Sequence, residues 1–349
     1  MNIDTQPILH PAAWRADQFR SADDYSLDLQ PAHLREIDQF VEASRALDLN
    51  DIEAEHFGYP ALRALMDGVY TELQAGRGFV LLRGLPVDRL RQQDVEKLYW
   101  AMGTSLGQGL SQSVMGDRLG HVIDTSLEDP NARGYRNKTE LHPHTDMPDM
   151  VGLCCLRGAK DGGVSLLTSA LSIHNAMAAE CPQLLAPLYE GFHFHRYGEE
   201  APGESPYTPY RIPVFSSSRG QVSARFIKTF IVAGQQAAGS PLNELQQRAI
   251  DAFVAIANRP ELQLRFVMQP GEVQFLNNFT TLHARTEFED HEEVKRRRHM
   301  LRLWLHRPGF RPLAANLNLF EGEGVAAQSG KKPSFDLKSV RAEAPAARA

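Results

Sequence analysis

At 349 residues, 42% hydrophobic and 23% charged, the chain has the composition of an ordinary globular protein with ample length for a large core. Its formal net charge of −6 gives no hint of the basic stripe that nucleic acid or a membrane surface would require, so neither is expected as a partner. Three cysteines (Cys154, Cys155 and Cys181) are too few for a disulfide framework, no apolar run approaches the roughly 20 residues that cross a bilayer, and Met1–Pro7 lacks a charged-then-apolar leader, so a reduced, cytoplasmic protein is expected.

Residues 1–30 are polar, with Pro7, Pro11 and Trp14, and read as an arm with little regular structure. Pro31 opens a helix pattern with Leu34, Ile37 and Val41 on one face. A second helix follows Pro60, with Leu62, Leu65, Met66, Val69 and Leu73 as its apolar stripe and Gly76 and Gly78 at its stop. Gly78 to Leu85 reads as a buried strand, and a third helix runs from Arg91 to Met102 before the glycine-broken stretch from Thr104 to Gln112. Gly120 to Asp124 reads as a strand. The polar residues 125–142 make a long loop, which in a compact domain is usually functional or disordered, and it leads into His144. Strands are expected at Met150–Leu156 and Val164–Thr168, with Gly162-Gly163 as the turn between, then a helix with Ser172 as its cap. Residues 199–209, rich in proline, form a second long loop. Ile212–Phe215 and Gln221–Phe226 flank a hairpin turn, and Asn243 with Gln246 makes a capping box for a helix ending near Pro260. Leu262–Met268, Val273–Asn277 and His299–His306 read as strands. In the last, Leu301, Leu303 and Leu305 share one face, while Met300, Arg302 and Trp304 take the other, extended by Arg298. Many short strands with helices grouped at the start and middle give an α+β fold: an antiparallel β core braced by helices, in one domain over 1–320 with a mobile tail at 321–349.

The chemistry starts at His144-Thr145-Asp146. On an extended strand, residues i and i+2 point to one face, so an imidazole and a carboxylate can reach one ion. His283, late in the chain, is the best candidate for a third ligand. Two histidines and one carboxylate with open coordination positions form the facial triad of non-haem Fe(II) oxygenases.

Four motifs in order (Arg77-Gly78-Phe79 to Pro86, His144-x-Asp146, Gly162-Gly163-Val164-Ser165, and His283 followed by Arg298-x-x-x-Arg302) resemble the taurine dioxygenase (TauD/TfdA) family of Fe(II)- and 2-oxoglutarate-dependent oxygenases. The resemblance covers residues 30–310 and implies a double-stranded β-helix, or jelly-roll, core. It also implies that Fe(II), 2-oxoglutarate and O2 are used. The iron would sit on His144, Asp146 and His283, with the far carboxylate of 2-oxoglutarate on Arg298 and the Ser165 hydroxyl. Arg296 and Arg297 stand beside Arg298, but the spacing to Arg302 and the alternating leucines favour Arg298. Arg302 would contact the other end of the cosubstrate or an anionic substrate. The carboxylate at Asp146 argues for hydroxylation, desaturation or ring closure rather than halogenation.

The expected function is oxidation, foremost hydroxylation, of an unactivated C–H bond in a small anionic or amino-acid-like metabolite. The loop carrying Arg133, Tyr135, Arg136 and Lys138 would supply positive charge over the iron. His142 is a rival ligand, a substrate contact or a solvent-facing loop residue. A non-catalytic jelly-roll acting as a metal- or ligand-binding sensor or scaffold is the alternative from another class, and a homo-oligomer is compatible with either.

Overall fold

The structure, a computed structural model, describes residues 3, 5–129, 132–320 and 324–332. Its strands are β1 (Ser26–Asp28), β2 (Phe79–Arg83), β3 (Gln108–Gly109), β4 (Leu119–Val122), β5 (Leu141–His144), β6 (Met150–Arg157), β7 (Asp161–Gly162) and β8 (Ser165–Ser169). They continue as β9 (Phe215–Ser218), β10 (Gln221–Ala224), β11 (Gln263–Phe266), β12 (Val273–Asn277), β13 (Thr281–Arg285), β14 (Phe288–Glu289) and β15 (His299–His306). The α-helices are α1 (Pro31–Ala43), α2 (Pro60–Gln74), α3 (Gln92–Leu106), α4 (Ala170–Glu180), α5 (Leu185–Glu190), α6 (Lys228–Ala237) and α7 (Glu244–Ala257).

Among the described residues, seven strands form a major sheet in the order β1-β2-β12-β6-β15-β3, with β4 also bonded to β15. Four form a minor sheet in the order β11-β8-β13-β5. Strand alternation assigns each face of the major sheet to a different core. Val80, Leu82, Phe275, Leu301, Leu303 and Leu305 pack with Ile37, Met66, Val69 and Leu98 from α1, α2 and α3. Phe79, Leu81, Val151, Leu276, Met300 and Trp304 point the other way, onto Leu167 and Leu264 of the minor sheet. A further cluster holds α4, α5 and α7 against the hairpin β9–β10 and Leu282 of β13. Each large apolar side chain buried in these clusters stabilises the fold by about 2 kcal/mol relative to an exposed one. Two sheets face to face, antiparallel except where β1 runs parallel to β2, with helices outside make an α+β fold with a jelly-roll core, as expected.

Several boundaries differ from the sequence reading. Helix α3 runs past Met102 to Leu106, and glycine at 103 lets it pack against β15, since a Cβ there would run into Leu303 Cδ1. Ser169, not Ser172, caps α4; its hydroxyl accepts from Ser172 N. β4 ends at Val122, two residues before Asp124. The hairpin turn is only Arg219-Gly220, both with positive φ (49° and 75°), so β9 lies at Phe215–Ser218 rather than Ile212–Phe215, while β10 begins at Gln221 as expected. Helices α5 and α6 carry no signal that the sequence reading used. Part of the expected mobile tail, residues 324–332, lies against the body: Val325 is buried and its N–H donates to Ser111 O at 3.1 Å, and Gln328 N–H donates to Val114 O at 2.7 Å. Residues 321–323 and 333–349 of that tail lie outside the described residues.

Candidate active site

The two sheets bring the sequence-distant ligands together. His144 at the end of β5 and His283 in the middle of β13 are Cα partners across the minor sheet. Beside that pair the register slips, with Arg285 opposite Leu141. β5 thus holds an extra residue at the stretch containing Pro143, a residue without an N–H that is tolerated at such a bulge. Asp146 lies two residues beyond His144, just past the strand, so it is not held by ladder bonds. Other contacts fix it. Thr145 N–H donates to Phe226 O at 2.9 Å, and Phe226 N–H donates to the Thr145 hydroxyl at 3.0 Å. Asp146 N–H donates to Asn278 Oδ1 at 3.1 Å, and its carbonyl accepts from the buried Arg225 guanidinium.

One ligand atom from each of His144, Asp146 and His283 lies within 4.8 Å of the other two. His144 Nε2 is 3.9 Å from Asp146 Oδ1, and His283 Nε2 is 3.7 Å from Oδ2. Two neutral nitrogens and a carboxylate at these separations suit a divalent ion with about 2.1 Å bonds after small side-chain rotations. His144 Nδ1 is 2.8 Å from His142 O, which can only accept, so the proton sits on Nδ1 and the Nε2 lone pair is free for a metal. The carboxylate is held as an anion. Burial works against ionisation, but Arg302, the two histidines and the Trp304 N–H outweigh it and keep the group at about 2. The contacts are direct: Trp304 Nε1 donates to Asp146 Oδ2 at 2.9 Å, and an Arg302 guanidinium nitrogen lies 3.6 Å from the same oxygen. Burial, then the neighbouring His144, pushes His283 down to about 3. The pocket therefore offers a neutral imidazole and a carboxylate at any ordinary pH.

A cavity of about 820 Å³ opens beside these side chains, and Ser165, Arg285, Arg298 and Arg302 all line it. Of the three consecutive arginines, Arg298 is the buried one. Its NH1 has no hydrogen-bond partner, and its Cζ lies 5.1 Å from the centre of the Phe288 ring. The glycine pair turns the chain beside it. Gly162 and Gly163 have φ of 72° and 65°, a backbone that favours glycine, and a Cβ on Gly162 would run into the Glu287 carbonyl oxygen. A buried cation without an anion is costly, so this corner fits a ligand carboxylate of the kind 2-oxoglutarate carries.

Other expectations meet a mixed outcome. Arg302 shares the inner face of β15 as its alternation requires, but it is already engaged: its Nε donates to Gln112 Oε1 at 2.7 Å, and it stacks 4.3 Å from the centre of Tyr135. Arg133, Gly134, Tyr135 and Glu140 of the loop expected before His144 do line the cavity. However, Arg133 is met by Glu199 at 2.6 Å, so the positive charge expected there is partly neutralised. His142 is exposed, 3.6 Å from Glu140, and lines the cavity without joining the ligand cluster. Sequence reasoning missed Gln112, Glu199, Arg285 and the α6 residues Lys228, Thr229 and Gln236, which also line the cavity. For Arg285 the signal was available: it lies two residues from His283 on an alternating strand and so shares its face.

The sequence profile of the family described as "Taurine catabolism dioxygenase TauD, TfdA family" matches residues 43–304. The FR-33289 synthase of Streptomyces rubellomurinus is 31% identical over 309 residues, covering 86% of this chain and 91% of that protein. The Taurine hydroxylase-like protein SAT17 of Stachybotrys chartarum is 28% identical over 306 residues, covering 83% and 77%. Among solved structures, an asparagine oxygenase in complex with Fe(II), 3-hydroxyasparagine and succinate superposes with a TM-score of 0.64 at 19% identity, covering 87% of this chain and all of that one. The non-haem iron oxygenase OrfP with Fe and alpha-ketoglutaric acid gives 0.61 at 18% identity, covering 80% and 94%. Taken with the His-Asp-His cluster, these matches establish that the chain belongs to the TauD/TfdA dioxygenase family and is an Fe(II)- and 2-oxoglutarate-dependent oxygenase.

Proposed function

We propose that the protein hydroxylates an unactivated C–H bond of a small, anionic or amino-acid-like metabolite. His144, Asp146 and His283 hold the iron, and Arg298 with the Ser165 hydroxyl holds the far carboxylate of 2-oxoglutarate. The observation that carries this reading is the buried, unpartnered Arg298 guanidinium in the same cavity as the three ligands. With 2-oxoglutarate bound, iron supplies an oxidant strong enough to remove hydrogen from such a bond while the cosubstrate is decarboxylated to succinate. The chain's own residues position and shield. Trp304 and Arg302 fix the Asp146 carboxylate, and the 125–140 loop, latched by Arg133 to Glu199, limits water at the cavity.

The substrate class rests on charge and on relatives. Arg302 beside Asp146 and the Arg133–Glu199 pair give one cavity both cationic and carboxylate groups, which suits a zwitterion or a small acid. Two structural relatives were solved with hydroxylated amino acids, 3-hydroxyasparagine in one and 3-hydroxy-L-Arg in the other. The three free thiols accord with a reducing cytoplasm. The test is succinate formation from 2-oxoglutarate with Fe(II), ascorbate and air, with and without a panel of amino acids and small acids. Succinate that rises with one class of acid and is lost in Asp146→Ala is expected. No succinate with any member of the panel, together with no binding of 2-oxoglutarate, would sink the reading.

A further inference from the structure

We propose that Arg285 is a second cation of the 2-oxoglutarate subsite, acting with Arg298 and Ser165 on the far carboxylate. This rests on the placement of 2-oxoglutarate at Arg298 proposed above. Arg285 is two residues from His283 on β13, so both side chains point to the cavity face. Its Cα partner across the minor sheet is Ser165, which puts the guanidinium and the hydroxyl on the same side of adjacent strands. Its Cζ lies 4.7 Å from the centre of the Phe288 ring on which Arg298 also packs.

The hydrogen bonds of Arg285 divide its guanidinium in two. Nε donates to Thr286 O at 3.2 Å, and NH2 donates to Asn137 O at 3.0 Å and to Thr139 O, fastening the loop that precedes β5. NH1 is buried without a partner, as is NH1 of Arg298. Arg285 is 5% exposed and Arg298 7% exposed, and among the described residues neither forms an ion pair with a carboxylate. A fastening role alone would not require a charged group, and it leaves NH1 unused. Two buried like charges beside one hydroxyl call for an anion with several acceptor sites. A carboxylate has two oxygens and about four lone-pair positions, enough for both guanidinium groups and the serine.

Binding of 2-oxoglutarate can be compared with that of 2-oxopentanoate, which keeps the iron-facing end but carries a methyl group in place of the far carboxylate. The comparison uses calorimetric titration of the full-length protein loaded with Mn(II) in place of iron. In Arg285→Gln and Arg285→Lys, 2-oxoglutarate is expected to weaken about tenfold or more, and 2-oxopentanoate by less than about threefold. Equal loss for both ligands, or no loss for 2-oxoglutarate, overturns the proposal. If the Arg285 variants do not fold in a thermal melt, Arg298→Gln decides. A retained preference of about tenfold for 2-oxoglutarate supports a second cation, and a vanished preference overturns it. Unchanged 2-oxoglutarate binding in Arg298→Gln would instead bring down the parent placement.

Discussion

The two ends of the cavity are prepared in opposite ways. At Asp146 itself the contacts come from the protein: its Oδ2 meets Trp304 and Arg302, its N–H meets Asn278, and its carbonyl meets Arg225, although Nδ1 of His283 and NH2 of Arg225 nearby are buried without a partner. Around Arg298 and Arg285, among the described residues, no carboxylate forms an ion pair with either guanidinium, and NH1 of each is buried without a partner. The first end is a preorganised receptor for a small ion, whose ligands must be aimed before it arrives. The second is, on the proposed reading, an incomplete ion pair that the charged cosubstrate would complete. Buried charge is met at the first end by protein groups and at the second, on that reading, by a ligand, so mutations at the two ends should fail differently.

The largest effect should come from removing the centre of the first end. Asp146→Ala takes away one ligand and strands Trp304 Nε1 and Arg302, so metal-dependent succinate formation should fall to background while far-ultraviolet circular dichroism is kept. Next is Trp304→Phe, which keeps an aromatic ring in the inter-sheet core but deletes the 2.9 Å bond to Oδ2. Loss of an outer-shell partner typically costs about 10- to 100-fold in metal affinity, so Mn(II) titration should show a drop of that order with little change in 2-oxoglutarate selectivity. An unchanged metal affinity would mean that Arg302 alone orients the carboxylate. At the second end, Ser165→Ala removes a neutral hydroxyl and should raise the KM for 2-oxoglutarate only about three- to tenfold, leaving metal binding intact. If Ser165→Ala altered metal affinity as much as Trp304→Phe does, the two ends would not be separable.

The smallest effect concerns pH in the metal-free protein. Burial holds His283 at about 3 and His299 at about 4, against 6.5 when unfolded. A histidine kept neutral by the fold contributes its full share of stability above pH 6.5. That share is lost as pH falls from 6.5 towards 3, because the unfolded chain binds the proton first. Thermal melts of the metal-free protein should therefore decline between pH 7 and pH 4, and His299→Gln should flatten part of that slope. A melt that stays level across this window would show that neither histidine is held neutral.

Local chemistry in the chain was enough for much of this. The 3.6-residue stripes of α1, α2 and α7, the capping box at Asn243, and the leucine and arginine faces of β15 depend on residue spacing within one element, and spacing is written in sequence. His144 and Asp146 were legible for the same reason, His283 followed from motif order, and the resemblance pointed to Arg298 and Ser165, which line the same cavity. What the sequence could not supply depends on packing between distant segments. Ser169 rather than Ser172 caps α4 because the backbone turns at Ser169. Position 103 in α3 needs glycine because Leu303 fills the space a Cβ would take. Arg133 is paired because Glu199 folds back on it. The Trp304 bond to Asp146 joins residues 158 apart, and the pairing of Arg285 with Ser165 joins two strands of a sheet. Side-chain type and period set which chemistry the chain can offer. Only the face-to-face closure of the two sheets decided which polar groups found partners within the protein and which were left for a ligand.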